Sequence, residues 1–400
     1  MSHPLPAGHP AKAGLASAGL ARIDELLGGL TDRKELSGVV ALVARDGEIV
    51  HRFCAGMKRL SSGDPMTPDA IFTIYSMTKP VTAAAMMTLW DEGRWRPEDP
   101  IAKHLPEFAG VKGPDGRAPD HPPTVGELMT HTAGFAYGLG VPPQDATDEA
   151  YAEAEIWKAA DLADFARRVA RIPLAYQPGT RWRYSLSMDL QGAIIERLTG
   201  ETLPDYMRRR LFAPLRMDDT DFFVPAEKRG RMTTVYHRFN RPDLAELDHP
   251  GFKREGLEPP ALPNGGGGLF STADDYARFA QMLLNGGELQ GARVLSADAV
   301  RLMTSNHLPD AILEGAFGVG MQTIRPGFGY GYNGAVFTDP ALAGSRVGQG
   351  TYQWDGAAGT WFWIDPANRL LFVGLIQRMM DPSMVPLQAT TQGLIADALI

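Results

Sequence analysis

The sequence predicts an α+β fold: an antiparallel sheet flanked by helices, with an all-α lobe inserted into it. Three observations carry this. Near the start, Gly38 to Arg45 and Glu48 to Ala55 read as strands around Asp46-Gly47, a pair that favours a two-residue hairpin turn. Near the end, Thr360 to Asp365 and Leu370 to Gln377 form a second such pair around Pro366-Ala367-Asn368. The long middle carries helical rather than strand periodicity.

Taken in order, Ala16 to Leu30 places Leu20, Ile23, Leu26 and Leu27 at helical spacing, with Gly28-Gly29 as the expected stop. After the first hairpin, Ile71-Phe72-Thr73-Ile74 reads as a strand. Val81 to Trp90, rich in Ala and Met, then reads as a helix. From about Trp95 to Met217 the chain is mostly helical with Pro-rich connections, and Val141 to Asp148 reads as a surface loop. Tyr236 to Gly268 is irregular and ends in Asn264-Gly265-Gly266-Gly267-Gly268, expected as a flexible turn. No Lys-Ser/Thr follows those glycines, so a phosphate cradle is not indicated. Pro386 to Ile400 closes the chain as a helix. A sheet closed by both termini would carry helices on its faces. The expected division is residues 1–94 with 218–400 as the sheet lobe and 95–217 as the helical lobe, with the active site between them. No internal repeat is evident.

The chain has 400 residues, 44% apolar and 22% charged, enough for a large core in an ordinary globular protein. Its net charge of -8 argues against binding nucleic acid or an anionic membrane by electrostatics. The one basic run, Arg208-Arg209-Arg210, reads as a solvated helix face. A single cysteine, Cys54, excludes an intrachain disulfide and a Cys-rich metal site, and it is expected to be a buried, inert thiol. No apolar run reaches membrane-spanning length. Residues 1–12 lack the apolar core of a signal peptide, so the cytoplasm is the expected location.

Ser76-Met77-Thr78-Lys79 joins the Ile71–Ile74 strand to the helix that follows. Residues three apart on a helix share a face, so the Lys79 ammonium can reach the Ser76 hydroxyl. The helix N-terminus adds unpaired N–H groups that suit an oxyanion, and Pro80 is tolerated in that first turn. Alone, Ser-x-x-Lys reads first as an ordinary capped helix. Gln177-Pro178-Gly179 leads to Tyr184-Ser185-Leu186 before another helix, and a serine nucleophile needs a base. A phenol titrates near pH ~10, so Tyr184 serves as base only where positive charge, here Lys79, stabilises its anion. Thr351-Tyr352-Gln353-Trp354-Asp355-Gly356-Ala357 enters the C-terminal hairpin. Gly356 would let that strand edge approach substrate closely, and the next N–H could donate to the carbonyl oxygen.

Together with Leu128-Met129-Thr130-His131-Thr132-Ala133-Gly134 and Gly266 to Tyr276, these motifs stand in the order found in penicillin-binding proteins, class C β-lactamases and family VIII carboxylesterases. The chain resembles that superfamily from about Leu20 to the last helix. The resemblance implies a β-lactamase/transpeptidase-like fold and a Ser76 acyl-enzyme. It also implies an oxyanion hole from the N–H groups of Ser76 and Ala357. Two departures favour the esterase branch. Leu186 stands where β-lactamases of this group carry Asn, and Trp354-Asp355-Gly356 replaces their lysine triad, resembling the Trp-Gly-Gly of the esterases. Trp354 suits an uncharged group, and the Asp355 carboxylate would disfavour an anionic one.

The expectation is therefore a serine carboxylesterase acting on small, short-chain esters. Its catalytic residues are Ser76, Lys79 and Tyr184, its substrate contacts Trp354, Asp355 and Gly356, and it needs no metal or organic cofactor. A β-lactamase, an acyltransferase or a D-amino-acid amidase on the same scaffold is the alternative, and a non-catalytic binder of the same fold the other class. His131 reads as a satisfied core histidine and Asp189 as a polar helix residue. Trp361, Phe362 and Trp363 read as part core, part cleft. No Gly-x-Ser-x-Gly or His-Glu-x-x-His occurs.

Overall fold

A computed structural model describes residues 3–138, 143–249, 252–313, 317–319, 322–324 and 326–400. The elements that frame the site are, in chain order, α1 (Ser17–Asp32), β1 (Gly38–Arg45), β2 (Glu48–Arg59), β3 (Asp64–Pro65), α2 (Thr78–Asp91), α3 (Ser187–Thr199) and α4 (Ala273–Leu284). They continue with β4 (Phe328–Tyr330), β5 (Ala335–Phe337), β6 (Tyr352–Asp355), β7 (Trp361–Asp365), β8 (Leu370–Ile376) and α5 (Leu387–Ala398).

The eight strands form one antiparallel sheet in the order β4-β5-β6-β7-β8-β1-β2-β3. The terminal halves of the chain therefore meet at β1–β8, where Val39 pairs with Ile376 and Arg45 with Leu370. Asp46 and Gly47 both take positive φ, 54° and 85°, which the tight hairpin turn requires. Val39, Ala41 and Val43 point to one face, where α1 and α5 pack with Trp361, Trp363 and Phe372. Val40, Leu42 and Ala44 point to the other, under Tyr276 and Phe279 of α4. A strand covered on both faces must be apolar at every position, which explains the unbroken run in β1.

Three local expectations change. Gly28-Gly29 does not stop α1, which runs on to Asp32, because Leu27 and Leu30 still bury against the sheet. The expected loop at 141–148 ends early. Residues 139–142 lie outside the described residues, and Asp145 caps a helix, Ala146–Glu153, by accepting from the N–H groups of Thr147 and Asp148. Trp361, Phe362 and Trp363 are all buried core, alternating between the α1/α5 face and the α4 face. The core on the α4 side is continuous with the side chains of the helical middle, among them Phe165, Leu190 and Leu203.

Trp361 stacks on Phe372 at 5.7 Å, donates its indole N–H to Thr391 of α5 at 3.2 Å, and lies over Gly374, where a Cβ would come within 2.3 Å of its ring. Trp361→Ala is expected to cost about 3–5 kcal/mol, read as a lower urea midpoint by circular dichroism.

Candidate active site

Ser76 sits in a 3-10 turn, Tyr75–Met77, between the short Phe72–Thr73 strand and α2. Tyr75 has φ 43°, an uncommon value for a non-glycine residue. That strain is held by packing of Tyr75 with Leu247, Ala358 and Met379 and by its O–H donating to the Phe252 carbonyl at 2.8 Å. Lys79 follows one turn later and is fully buried. Its Nζ donates to Ser76 Oγ at 3.1 Å and to the Gly266 carbonyl at 2.6 Å. Tyr184 Oη donates to the same Ser76 Oγ at 2.7 Å, and Lys79 Nζ stands 4.5 Å from the Tyr184 ring centre. The structure thus brings Ser76 and Lys79 together with Tyr184, which lies 108 residues beyond Ser76 in the chain.

The glycine run is a wall of this site and not a flexible turn. Thr82 of α2 donates to the Gly265 carbonyl at 2.7 Å, and the Gly266 N–H donates to Asp189 Oδ1 at 3.1 Å. A Cβ on Gly265 would come within 2.5 Å of the Met188 carbonyl, and one on Gly268 within 2.8 Å of the Asn264 carbonyl, so the loop needs small residues to close. Asp189, expected as a polar helix residue, stands on α3 but is buried. It is 1% exposed, and its Oδ2 makes no hydrogen bond among the described residues. The one sequence signal for it was an acidic residue in the first turn of a helix.

Electrostatics revise the role expected of Tyr184. Burial pulls Lys79 down to about 7, against the opposing pull of Asp189 and Asp355. Burial pushes the Tyr184 phenol well above its ordinary value, reinforced by Tyr137 and opposed by the hydrogen bond to Ser76. The resting phenol is therefore neutral, and the expected partly anionic Tyr184 gives way to a lysine that titrates near neutrality. Tyr184 is held by its neighbours. Arg183 pairs with both Asp145 and Asp148, the latter at 2.9 Å, and the Ser185 N–H donates to His131 Nδ1 at 3.1 Å. With Nδ1 accepting, the proton of a neutral His131 lies on Nε2, which makes no hydrogen bond among the described residues. Burial and the Lys79 charge keep that ring neutral. His131 is thus a core histidine satisfied at one nitrogen, with its ring 4.9 Å from Tyr184.

Trp354 is 4% exposed and lies between Tyr184, at 6.0 Å, and Tyr330, at 5.4 Å. It braces the phenol from behind more than it faces an open cleft. Gly356 differs too: a Cβ there would stand 2.4 Å from the Ile74 carbonyl and 2.3 Å from Thr360 Oγ1. The glycine lets the strand close on the segment that carries Ser76, and Thr360 Oγ1 completes the contact by donating to Ile74 at 3.2 Å. This closure puts Ala357 beside the nucleophile's turn. Burial pushes Asp355 up to about 7 against the pull of Lys79, so near neutrality it is not the full negative charge expected. It lines a cavity of about 500 Å³ with Gln353, Trp361, Met380, Leu387 and Gln388, on the α5 side of the sheet.

Cys54 is half-buried, not sealed in the core, and burial raises its thiol. Arg208, Arg209 and Arg210 point outward to Asp205, Asp221, Glu201 and Glu92. Among the described residues no cluster of His, Cys, Asp or Glu could hold a metal ion, and no helix is long and apolar enough to cross a membrane.

A family model described as Beta-lactamase matches residues 23–396. The chain belongs to the beta-lactamase family. It is 37% identical over 367 residues to Protein Rv1367c of Mycobacterium tuberculosis, covering 87% of this chain and 88% of that one. It is 34% identical over 388 residues to Esterase EstB of Burkholderia gladioli, covering 90% of each. Among solved structures, EstCE1, a hydrolase with promiscuous acyltransferase activity, superposes with a TM-score of 0.80 at 26% identity, covering 96% of this chain and 98% of that one. The fold is the β-lactamase/transpeptidase-like one expected from the motifs.

Because Gly356 seats the strand against Ile74, Gly356→Ala is expected to move Ala357 away from Ser76. Ester turnover should fall roughly 100-fold with the circular dichroism spectrum unchanged. Steady-state kinetics beside that spectrum check it.

Proposed function

We propose that this protein is a serine carboxylesterase that cleaves small, short-chain carboxylic esters through a Ser76 acyl-enzyme. The observation that carries the reading is Ser76 Oγ held between Lys79 Nζ and Tyr184 Oη. The relative named an esterase, at 34% identity across nine-tenths of the chain, supports it. The cleft would lie between the sheet lobe, residues 1–94 with 218–400, and the helical lobe, 95–217.

In this mechanism the free amine of Lys79 takes the Ser76 proton as Oγ bonds to the ester carbonyl carbon. The N–H groups of Ser76 and Ala357 receive the oxyanion. As the carbonyl re-forms, the bond to the alcohol oxygen breaks. Tyr184 gives its proton to the leaving alkoxide and recovers one from the Lys79 ammonium. Water then repeats the sequence: the Tyr184–Lys79 pair takes its proton, its oxygen attacks the acyl carbon, and Ser76 regains a proton as the acid leaves. An acceptor alcohol could replace that water, and the described activity of EstCE1 makes acyl transfer the second reading to test.

The sign of the pH dependence follows from the direction of the lysine shift. The reactive form is the free amine, so kcat/KM should rise as pH increases through about 7. Hydrolysis of p-nitrophenyl butyrate across pH measures this. Ser76→Ala should reduce turnover roughly 10⁴-fold or more, and Tyr184→Phe roughly 10²-fold. Nitrocefin turnover matching that of the butyrate would overturn the esterase reading in favour of a β-lactamase.

A further inference from the structure

We propose that Asp189 is a positioning residue for Lys79, holding the lysine in place and setting its proton affinity through Gly266. The inference rests on the esterase reading above and goes beyond it by assigning a carboxylate to the base. Asp189 Oδ1 accepts from the Gly266 N–H at 3.1 Å, and the Gly266 carbonyl accepts from Lys79 Nζ at 2.6 Å. One residue therefore ties the carboxylate to the amine at its two ends. The second oxygen, Oδ2, is buried without a hydrogen bond among the described residues. It lies 3.0 Å from where a Cβ on Gly266 would stand, and Asn264 Oδ1 and Tyr137 Oη lie 3.4 Å from the same point. Both of those are uncharged groups; burial pushes Asp189 up to about 6, and the Lys79 charge is the largest influence opposing that rise.

The ionisable groups that act on Lys79 and Asp189 come from every element around them. Lys79 itself stands on α2, Asp189 on α3 and Asp355 on β6. His131, Tyr137 and Arg254 come from connecting segments. Of the cations, Lys79 acts on Asp189 more strongly than Arg254 does. Burial favours loss of the lysine's proton, and the carboxylates oppose that loss, Asp189 more than Asp355. The carbonyl that anchors Nζ would drift without the N–H contact on the other side of Gly266.

The test is Asp189→Asn, which keeps the shape and an oxygen to accept from Gly266 while removing the charge. Lys79 then loses its proton more readily. The rising limb of kcat/KM against pH should move down by at least about one unit, and kcat should fall at least about tenfold as the base weakens, with KM little changed. A purely structural role would lower activity at every pH and leave the limb in place, and that result overturns the proposal. If Asp189→Asn does not fold, Gly266→Ala serves instead: its methyl, 3.0 Å from Oδ2, presses the carboxylate away, and the limb should move the same way by a smaller step. Failure of the esterase reading is separable. It would show as wild-type protein without Ser76-dependent ester hydrolysis. The titration of Lys79, followed by NMR of the labelled side chain in wild type and Asp189→Asn, then decides the charge coupling without any turnover. An unchanged lysine titration sinks the proposal.

Discussion

Everything in this site follows from burying one lysine. An ammonium taken out of water must find hydrogen bonds and opposite charge, or give up its proton. Lys79 does some of each. It donates to a serine and a backbone carbonyl, feels the charge of the buried Asp189 and the partly buried Asp355, and still ends near pH 7. The glycine run, the first turn of α3 and the end of β6 are arranged around that need. The close approaches of the glycine run make sense as the means of bringing Gly266 and Asp189 up to a side chain that has no access to water.

What was legible in the sequence was local. Asp46-Gly47 specifies its own turn, so the first hairpin stood out, and closure of the sheet by both termini followed from the C-terminal hairpin, while the outer strands β3, β4 and β5 did not. Ser76 and Lys79 share a helical face by spacing alone. What was not legible depended on distant partners. Asp189 gains its importance from Gly266, 77 residues away, and nothing in its own helix announces that. The neutral state of Tyr184 depends on how completely the fold seals it, which no motif encodes. Gly356 was noticed as a glycine, but its neighbour, the Ile74 carbonyl, could be named only from the fold.

Strain and rigidity have a division of labour here. The left-handed Tyr75 is the uncommon backbone value beside the nucleophile, and it is clamped by aromatic burial and a hydrogen bond. Tyr184 is clamped from three sides: Arg183 ties it to the Ala146–Glu153 helix, His131 holds the next N–H, and Trp354 backs the ring. Reacting oxygens placed 2.7 Å apart before substrate arrives need little reorganisation in the transition state.

The same charge ledger bears on which substrates fit. Where the related β-lactamase pattern carries a second lysine, this chain has Trp354, and the position after it is Asp355. The site therefore has one buried amine against two carboxyls, with Arg254 as the other cation acting on Asp189. When Lys79 loses its proton to act as base, no positive charge on the strand offsets the carboxyls. Burial leaves both carboxyls only partly ionised near neutrality, so what an anionic substrate lacks here is a lysine partner on the strand, whereas a neutral ester needs none. The loss of the lysine and the low affinity of Lys79 for its proton thus point the same way: to uncharged esters, attacked most readily when the site is least positive.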